Sequence, residues 1–152
     1  MRAFIQRVSY AKVTVDGKIT GEIGAGLLVL LGLGHADNES EAAALARKLV
    51  NLRVFNDNLG KMNLSLLDVL GEMLAISQFT LHADTRKGNR PSFTEAMEPE
   101  QASSLYDYFC TEVEKLGLTV RRGIFGAHMK VTLENDGPVS IMVYSKNEYQ
   151  SK

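Results

Sequence analysis

Ser77-Gln78-Phe79-Thr80-Leu81 sets two hydroxyls and an amide directly behind the apolar run Met73-Leu74-Ala75-Ile76, so a polar set sits at the end of an extended segment. A serine or threonine there becomes a nucleophile only with a base beside it, and Ser77 lacks the flanking glycines of a nucleophile elbow. Taken as residues alone, Ser77 and Thr80 satisfy main-chain groups at a strand end while Phe79 packs inward. The main chain is the other source of chemistry. N–H groups that leave a sheet ladder can face a cleft and hydrogen-bond the oxyanion formed when water attacks an ester, each lowering the barrier by about 3 kcal/mol. Amides near Phe79 and Thr80 would do this without any side-chain nucleophile.

Other constellations compete. His35-Ala36-Asp37 and His82-Ala83-Asp84 are near-copies, and together they would offer imidazoles and carboxylates to a metal. The spacing argues against it: no Glu follows a His in helical register and the chain has 1 Cys, so these read as solvated loop polars and no metal site is expected. Cys110 shares helical spacing with Leu105, Tyr106, Phe109 and Val113, which makes it a buried structural thiol. Asn135-Asp136-Gly137-Pro138 reads as a turn between two strands. An X-Pro bond is cis in only about 5% of folded cases; here Gly137 would admit a ligand closely and Pro138 would stiffen the loop.

The elements that must position these residues follow from periodicity. From Ala3 to Ile23 the pattern is that of a β-meander, with Asp16-Gly17 as a hairpin turn. Leu27 to Leu31 is a continuous apolar run that fits a central strand covered on both faces. Asn38 with Glu41 forms a capping box ahead of Ala42, Leu45, Ala46, Leu49 and Val50, which predicts a helix over about 39–51. Asn56 to Gly60 is a turn cluster, and His82 to Pro91 an exposed loop. A second helix, about 99–116, opens at Pro99 and closes at Gly117. Strands near 118–122, 129–134 and 139–144 complete an α/β fold. It is a single domain over residues 1–146, with mixed β-sheet layers, two helices packed on one side, and the N-terminal hairpin in a second β layer. Residues 147–152 form a polar tail.

Composition bounds the partners. The chain has 152 residues, 45% hydrophobic and 23% charged, which describes a globular domain rather than a disordered or low-complexity one. A chain of this size buries roughly two-thirds of its unfolded surface and needs no disulfide or metal staple. Lys and Arg number 17 against 18 Asp and Glu, a formal charge of -1, so any RNA must be gripped locally rather than drawn by a global field. No apolar run approaches the roughly 20 residues of a membrane span, and Met1-Arg2 leads into strand-like sequence without a signal peptide, so a cytosolic protein without a membrane partner is expected.

Ser77-Gln78-Phe79-Thr80-Leu81 together with Gly137-Pro138-Val139-Ser140 resembles the paired signature of the D-aminoacyl-tRNA deacylases, also called D-tyrosyl-tRNA deacylases. Met1 to Val8, Asn89-Arg90-Pro91-Ser92-Phe93 and Gly123-Ile124-Phe125-Gly126-Ala127 resemble the same family, in the same order and nearly end to end. The resemblance implies a homodimeric, metal-independent and cofactor-free hydrolase. Its substrate would be the ester between a D-amino acid and the 3′-terminal adenosine of tRNA, with glycine on mischarged tRNA also released. It further implies a cis Gly137-Pro138 bond in a loop that enters the partner subunit's site. There main-chain carbonyls would hold the α-amino group and exclude an L side chain. Ser77, Gln78, Phe79 and Thr80 would seat the adenosine and present main-chain N–H groups to the carbonyl oxygen. The ribose 2′-hydroxyl would assist, with Thr80 as a covalent nucleophile the alternative. The family's usual threonine after Gly-Pro-Val is Ser140 here, which keeps the hydroxyl and loses a methyl. Arg86, Lys87, Arg90 or Lys130 would contact phosphates. The competing readings are a small-molecule esterase and an RNA-binding or dimerisation module without catalysis.

Overall fold

The computed structural model describes residues 1–145; the tail expected at 147–152 lies outside them. In chain order the elements are β1 (Arg2–Val15), β2 (Lys18–Ile23), β3 (Gly26–Gly32), α1 (Glu39–Val50), β4 (Phe55–Asn56), β5 (Met62–Leu64) and β6 (Glu72–Ser77). A 3₁₀ turn (Phe79–His82), α2 (Pro99–Lys115), β7 (Val120–Arg122) and β8 (Lys130–Tyr144) follow. The main sheet runs β2-β1-β3-β6-β7, with β8 also paired to β1. β3, β6 and β7 are mutually parallel, while β1 is antiparallel to β2, β3 and β8, so the sheet is mixed.

Alternation along the central strands explains why they read as unbroken apolar runs. Leu27, Val29 and Leu31 of β3, with Met73 and Ala75 of β6, join the core under the helices. Leu28, Leu74 and Ile76 point the other way, into a second core shared with Val8, Ala11, Val13 and Ile23. The first core receives Ala42, Leu45, Ala46, Leu49 and Val50 from α1 and Ala102, Leu105, Tyr106, Phe109, Cys110 and Val113 from α2. The helices therefore cover one side of the sheet as expected, and the second β layer is the same sheet curled over its other side, which brings β2 across β6 and β7 to enclose the second core. Burial pushes the Cys110 thiol up to about 12, so it stays protonated and inert.

The N-terminal region is not a meander. β3 returns to β1 rather than to β2: residues 2–8 of β1 pair with β3, residues 11–15 pair with β2, and β8 pairs with β1 from residue 2 to 14. With β8 on one edge, β2 and β3 share the other. Register shifts between Gln6 and Val8 and between Val8 and Tyr10 make this possible. An unmatched residue inverts which side chains face a given side, so Ala3 and Ile5 serve the helix-side core while Ala11 and Val13 serve the other.

A further correction concerns the C-terminal half, and the connection after α1 holds more than the expected turn. The strands expected near 129–134 and 139–144 are one strand, β8, whose irregular register absorbs Asn135 to Pro138 in place of a turn. The turn cluster at Asn56 to Gly60 is the tip of a separate hairpin, β4–β5, where the Asp57 carboxylate accepts from the N–H groups of Leu59 and Lys61 at 2.8 and 3.0 Å. Strands of 2 and 3 residues are too short to display a period. The caps were legible: Asn38 Oδ1 accepts from the Glu41 N–H at 3.2 Å, and Pro99 opens α2. Among the described residues no helix is long and apolar enough to cross a membrane.

Candidate active site

β6 leaves the sheet at Ser77. The Gln78 N–H makes the last ladder bond, to Leu31 O at 2.8 Å, and the chain tightens into the 3₁₀ turn, closed by Leu81 N–H to Gln78 O at 3.2 Å and Ala83 N–H to Thr80 O at 3.0 Å. The leading N–H groups of a helical turn have no partner within it, and those of Phe79 and Thr80 have none elsewhere among the described residues. This turn forms one edge of a cleft of about 570 Å³ lined by Ser77, Gln78 and Phe79, by Phe93, by the entry to α2 from Ala96 to Pro99, and by the 125–129 segment with Val131.

The sequence expectation that Phe79 packs inward is not met. Its side chain is 56% exposed and meets Phe93 edge-on, ring centroids 5.0 Å apart. The inward position goes instead to His82, only 6% exposed, although it was expected in an exposed loop. Glycines make the room: a Cβ on Gly34 would lie 2.9 Å from His82 Cε1, and one on Gly32 would lie 2.9 Å from Leu81 Cβ. Burial holds the His82 imidazole below its ordinary 6.5, so it is neutral at pH 7, with Nε2 unpartnered among the described residues. His35 is engaged separately, through Nε2 and Thr94 O at 2.7 Å, and no group of three or more His, Cys, Asp or Glu converges among the described residues.

Side-chain hydroxyls are poorly prepared for attack. Thr80 Oγ1 accepts from Gln78 Nε2 at 2.5 Å, and Thr80 is not part of the cleft lining. Ser77 and His128 both line the cleft, and no hydrogen bond joins them. What remains at this edge is a pair of main-chain donors, the Phe79 and Thr80 N–H groups, without partners among the described residues.

Gly137 and Pro138 sit elsewhere. Their peptide bond is cis, and both residues and Ser140 are exposed, while Val139 is buried. In the sheet Ser140 lies opposite Gln6 of β1, which lies opposite Leu28 of β3, so β1 and β3 separate this segment from β6. One copy of the chain does not bring the two predicted sets together. Everything around the segment is held by side chains. Arg7, 6% exposed, donates from Nε to Asp136 O at 2.7 Å and from Nη1 to Val54 O at 2.6 Å and Asn56 Oδ1 at 3.3 Å. Asn135 accepts the Val139 N–H at 2.7 Å and donates to Val139 O and Ser140 Oγ, both at 3.1 Å; Gln6 Nε2 adds a bond to Ser140 Oγ at 3.2 Å. A Cβ on Gly137 would lie 2.7 Å from Val139 N and 3.2 Å from Arg7 Nη2.

Arg7 and Asn135 were not singled out from sequence. The signal for Arg7 was its place in the inward register of Ala3 and Ile5, where a buried cation demands partners. For Asn135 there was none beyond its position ahead of Gly137.

Residues 4–144 match the family model for D-Tyr-tRNA(Tyr) deacylase. The D-aminoacyl-tRNA deacylase of Thermosipho melanesiensis is 54% identical over 150 residues, covering 98% of this chain and 100% of that one. The one from Roseiflexus castenholzii is 57% identical over 145 residues, covering 95% and 92%. Among solved structures, the c-Myc DNA Unwinding Element Binding Protein superposes with a TM-score of 0.90 at 43% identity, covering 96% of this chain and 99% of that one. A probable eukaryotic D-amino acid tRNA deacylase does so at 0.84 and 17% identity, covering 93% and 97%, a likeness of fold alone. With its fold, its cleft and nearly its whole length accounted for, this chain belongs to the D-Tyr-tRNA(Tyr) deacylase family, whose named members are hydrolases of the aminoacyl-tRNA ester bond.

Proposed function

We propose that this protein is a cytosolic, homodimeric D-aminoacyl-tRNA deacylase that hydrolyses the ester between a D-amino acid, or glycine on mischarged tRNA, and the 3′-terminal adenosine. The observation that carries this reading is the pair of unpartnered N–H groups of Phe79 and Thr80 at the edge of the cleft. When water attacks the ester carbonyl, negative charge develops on its oxygen, and each fixed main-chain donor lowers that barrier by about 3 kcal/mol. The terminal adenosine sits against Ser77 to Phe79, and its 2′-hydroxyl assists the attacking water. Free amino acid and free tRNA leave, and no acyl-enzyme forms.

Handedness is judged by the Gly137-Pro138 segment of a second copy, whose carbonyls take the α-amino group and leave no space for an L side chain. Its exposure and its distance from its own cleft support insertion across an interface, and the Arg7 and Asn135 hydrogen bonds support rigidity. Enantiomers differ only in arrangement about one carbon, so a yielding pocket would accept both. Val139 anchors the segment from within, and Ser140 supplies the hydroxyl that Asn135 and Gln6 hold.

The test is hydrolysis of D-Tyr-tRNA, L-Tyr-tRNA and a simple D-amino acid ester in EDTA, at concentrations where ultracentrifugation reports the dimer. Loss of the first substrate alone is expected. Release from all three would point to a non-stereospecific esterase, no turnover to a binding module, and full activity of a monomer would remove the cross-subunit filter.

A further inference from the structure

The segment between His82 and Phe93 is tied off at its base. Asp84 and Ser92 exchange both main-chain hydrogen bonds, at 2.8 and 2.9 Å, so residues 85–91 stand out from the body as one exposed arm. The cations on it are not equivalent. Arg86 folds back on Asp84: its main-chain N–H donates to Oδ1 at 3.0 Å, and its guanidinium donates to both carboxylate oxygens at 2.9 and 2.7 Å. This pairing holds the Asp84 carboxyl well below the usual carboxylate range and neutralises Arg86 locally. Lys87 and Arg90 make no ion pair among the described residues, and Gly88, at φ +68, turns the chain between them.

The arm adjoins the cleft. Phe93, one residue past the Ser92 bridge, lines the cleft against Phe79. From Phe93 to Arg90 the chain spans at most about 10 Å, which puts Arg90, and Lys87 beyond it, within reach of the phosphates next to a nucleotide resting against Phe79 and Phe93. The cleft lining itself contains Glu98 and neither lysine nor arginine. Lys130 lies between the lining residues Met129 and Val131, and strand alternation turns it to the opposite side from Val131.

We propose that residues 85–91 form a phosphate-gripping arm for the single-stranded 3′ end of the RNA substrate. Lys87 and Arg90 contact phosphates of the last nucleotides, and Arg86 braces the arm through Asp84. The proposal rests on the deacylase reading above and assigns that site its RNA-holding residues. With a formal charge of -1 the protein has no general attraction for RNA, so these local contacts carry a large share of the salt dependence.

The experiment compares the unaltered protein with Lys87→Ala/Arg90→Ala on D-Tyr-tRNA across a range of salt, and on D-tyrosyl-adenosine, which carries no phosphate. Single-stranded contacts each add about 0.7 to the slope of log affinity against log salt. The double variant is therefore expected to raise KM roughly tenfold near physiological salt and to flatten that slope by about 1.4, with kcat unchanged. D-tyrosyl-adenosine is hydrolysed equally by both proteins. Arg47→Ala/Lys48→Ala, which removes the same charge from the exposed end of α1, changes neither measure. An unchanged slope in the Lys87→Ala/Arg90→Ala protein, or an equal loss on the phosphate-free ester, overturns the arm. If the unaltered protein hydrolyses neither substrate, the deacylase reading fails instead. Binding of deacylated tRNA then judges the arm by the same change of slope.

Discussion

The turn at Phe79–His82 and the segment around Gly137-Pro138 are both exposed main chain, yet they are built oppositely. The turn borders the cleft and leaves two N–H groups unpaired among the described residues. The Gly137-Pro138 segment lies on the sheet's outer strand, and Arg7, Asn135 and Gln6 occupy the polar atoms around it. A surface that must receive developing charge needs free donors; a surface that must refuse one enantiomer needs fixed walls. On the proposed reading, the first region carries the reaction and the second the selection.

The largest effect expected from disturbing this contrast is that of Arg7→Ala. It strips charge-assisted hydrogen bonds from Asp136 O and Val54 O in a buried setting, at a cost of about 3 kcal/mol in urea unfolding. If the segment is a wall, the ratio of D to L hydrolysis also falls, by roughly tenfold or more, which is about 1.4 kcal/mol of discrimination. Lost stability with the ratio intact would reduce Arg7 to a structural brace and collapse the contrast. Arg7→Lys keeps the charge without the planar fork and restores only part of either.

A smaller effect comes from behind the turn. His82 is held neutral by burial, with its pKa below 6.5, whereas unfolding frees it to protonate. Where the unfolded chain binds more protons, stability rises with pH, so the protein weakens as pH falls below 6.5 toward the folded-state pKa. Each kcal/mol lost lowers Tm by about 2–4 °C. His82→Asn should flatten Tm against pH in this window, above the range where Asp57 and Asp68, both held below their ordinary 3.8, begin to contribute. A slope that survives the substitution would mean that His82 does not support the turn in this way.

The smallest effect belongs to Thr80→Ala. The main-chain N–H survives and only the acceptor of the Gln78 amide is lost, so kcat should fall no more than about threefold, under 1 kcal/mol. Abolished turnover in a folded protein, or an acyl group trapped on Thr80, would return the chemistry to a side chain.

Much of this was readable in the residues, and the limits have physical causes. α1 announced itself through Asn38, Glu41 and apolar positions three and four apart, because its signals are local. β3 and β6 were legible as doubly covered strands since each buries both faces. The placement of His82 was not, because what makes room for it are Gly32 and Gly34, some fifty residues earlier in the chain. β4 and β5 lack the length to show a period. Ser77 to Thr80 were identifiable as a polar strand end with amides leaving the ladder, but the 3₁₀ turn that holds them is not announced by residue type. The Gly137-Pro138 segment stood out, yet its absorption into β8 depends on register against β1.

That shared strand has a consequence for how the protein is made. β1 is translated before β8, residues 130–144, its full-length partner on one edge. Until the ribosome has released those residues, the nascent chain presents a long unsatisfied hydrogen-bonding edge to its surroundings, a template for pairing with other chains. The order of synthesis thus leaves this edge of β1 open until β8 is made, and exposes it to aggregation in that interval.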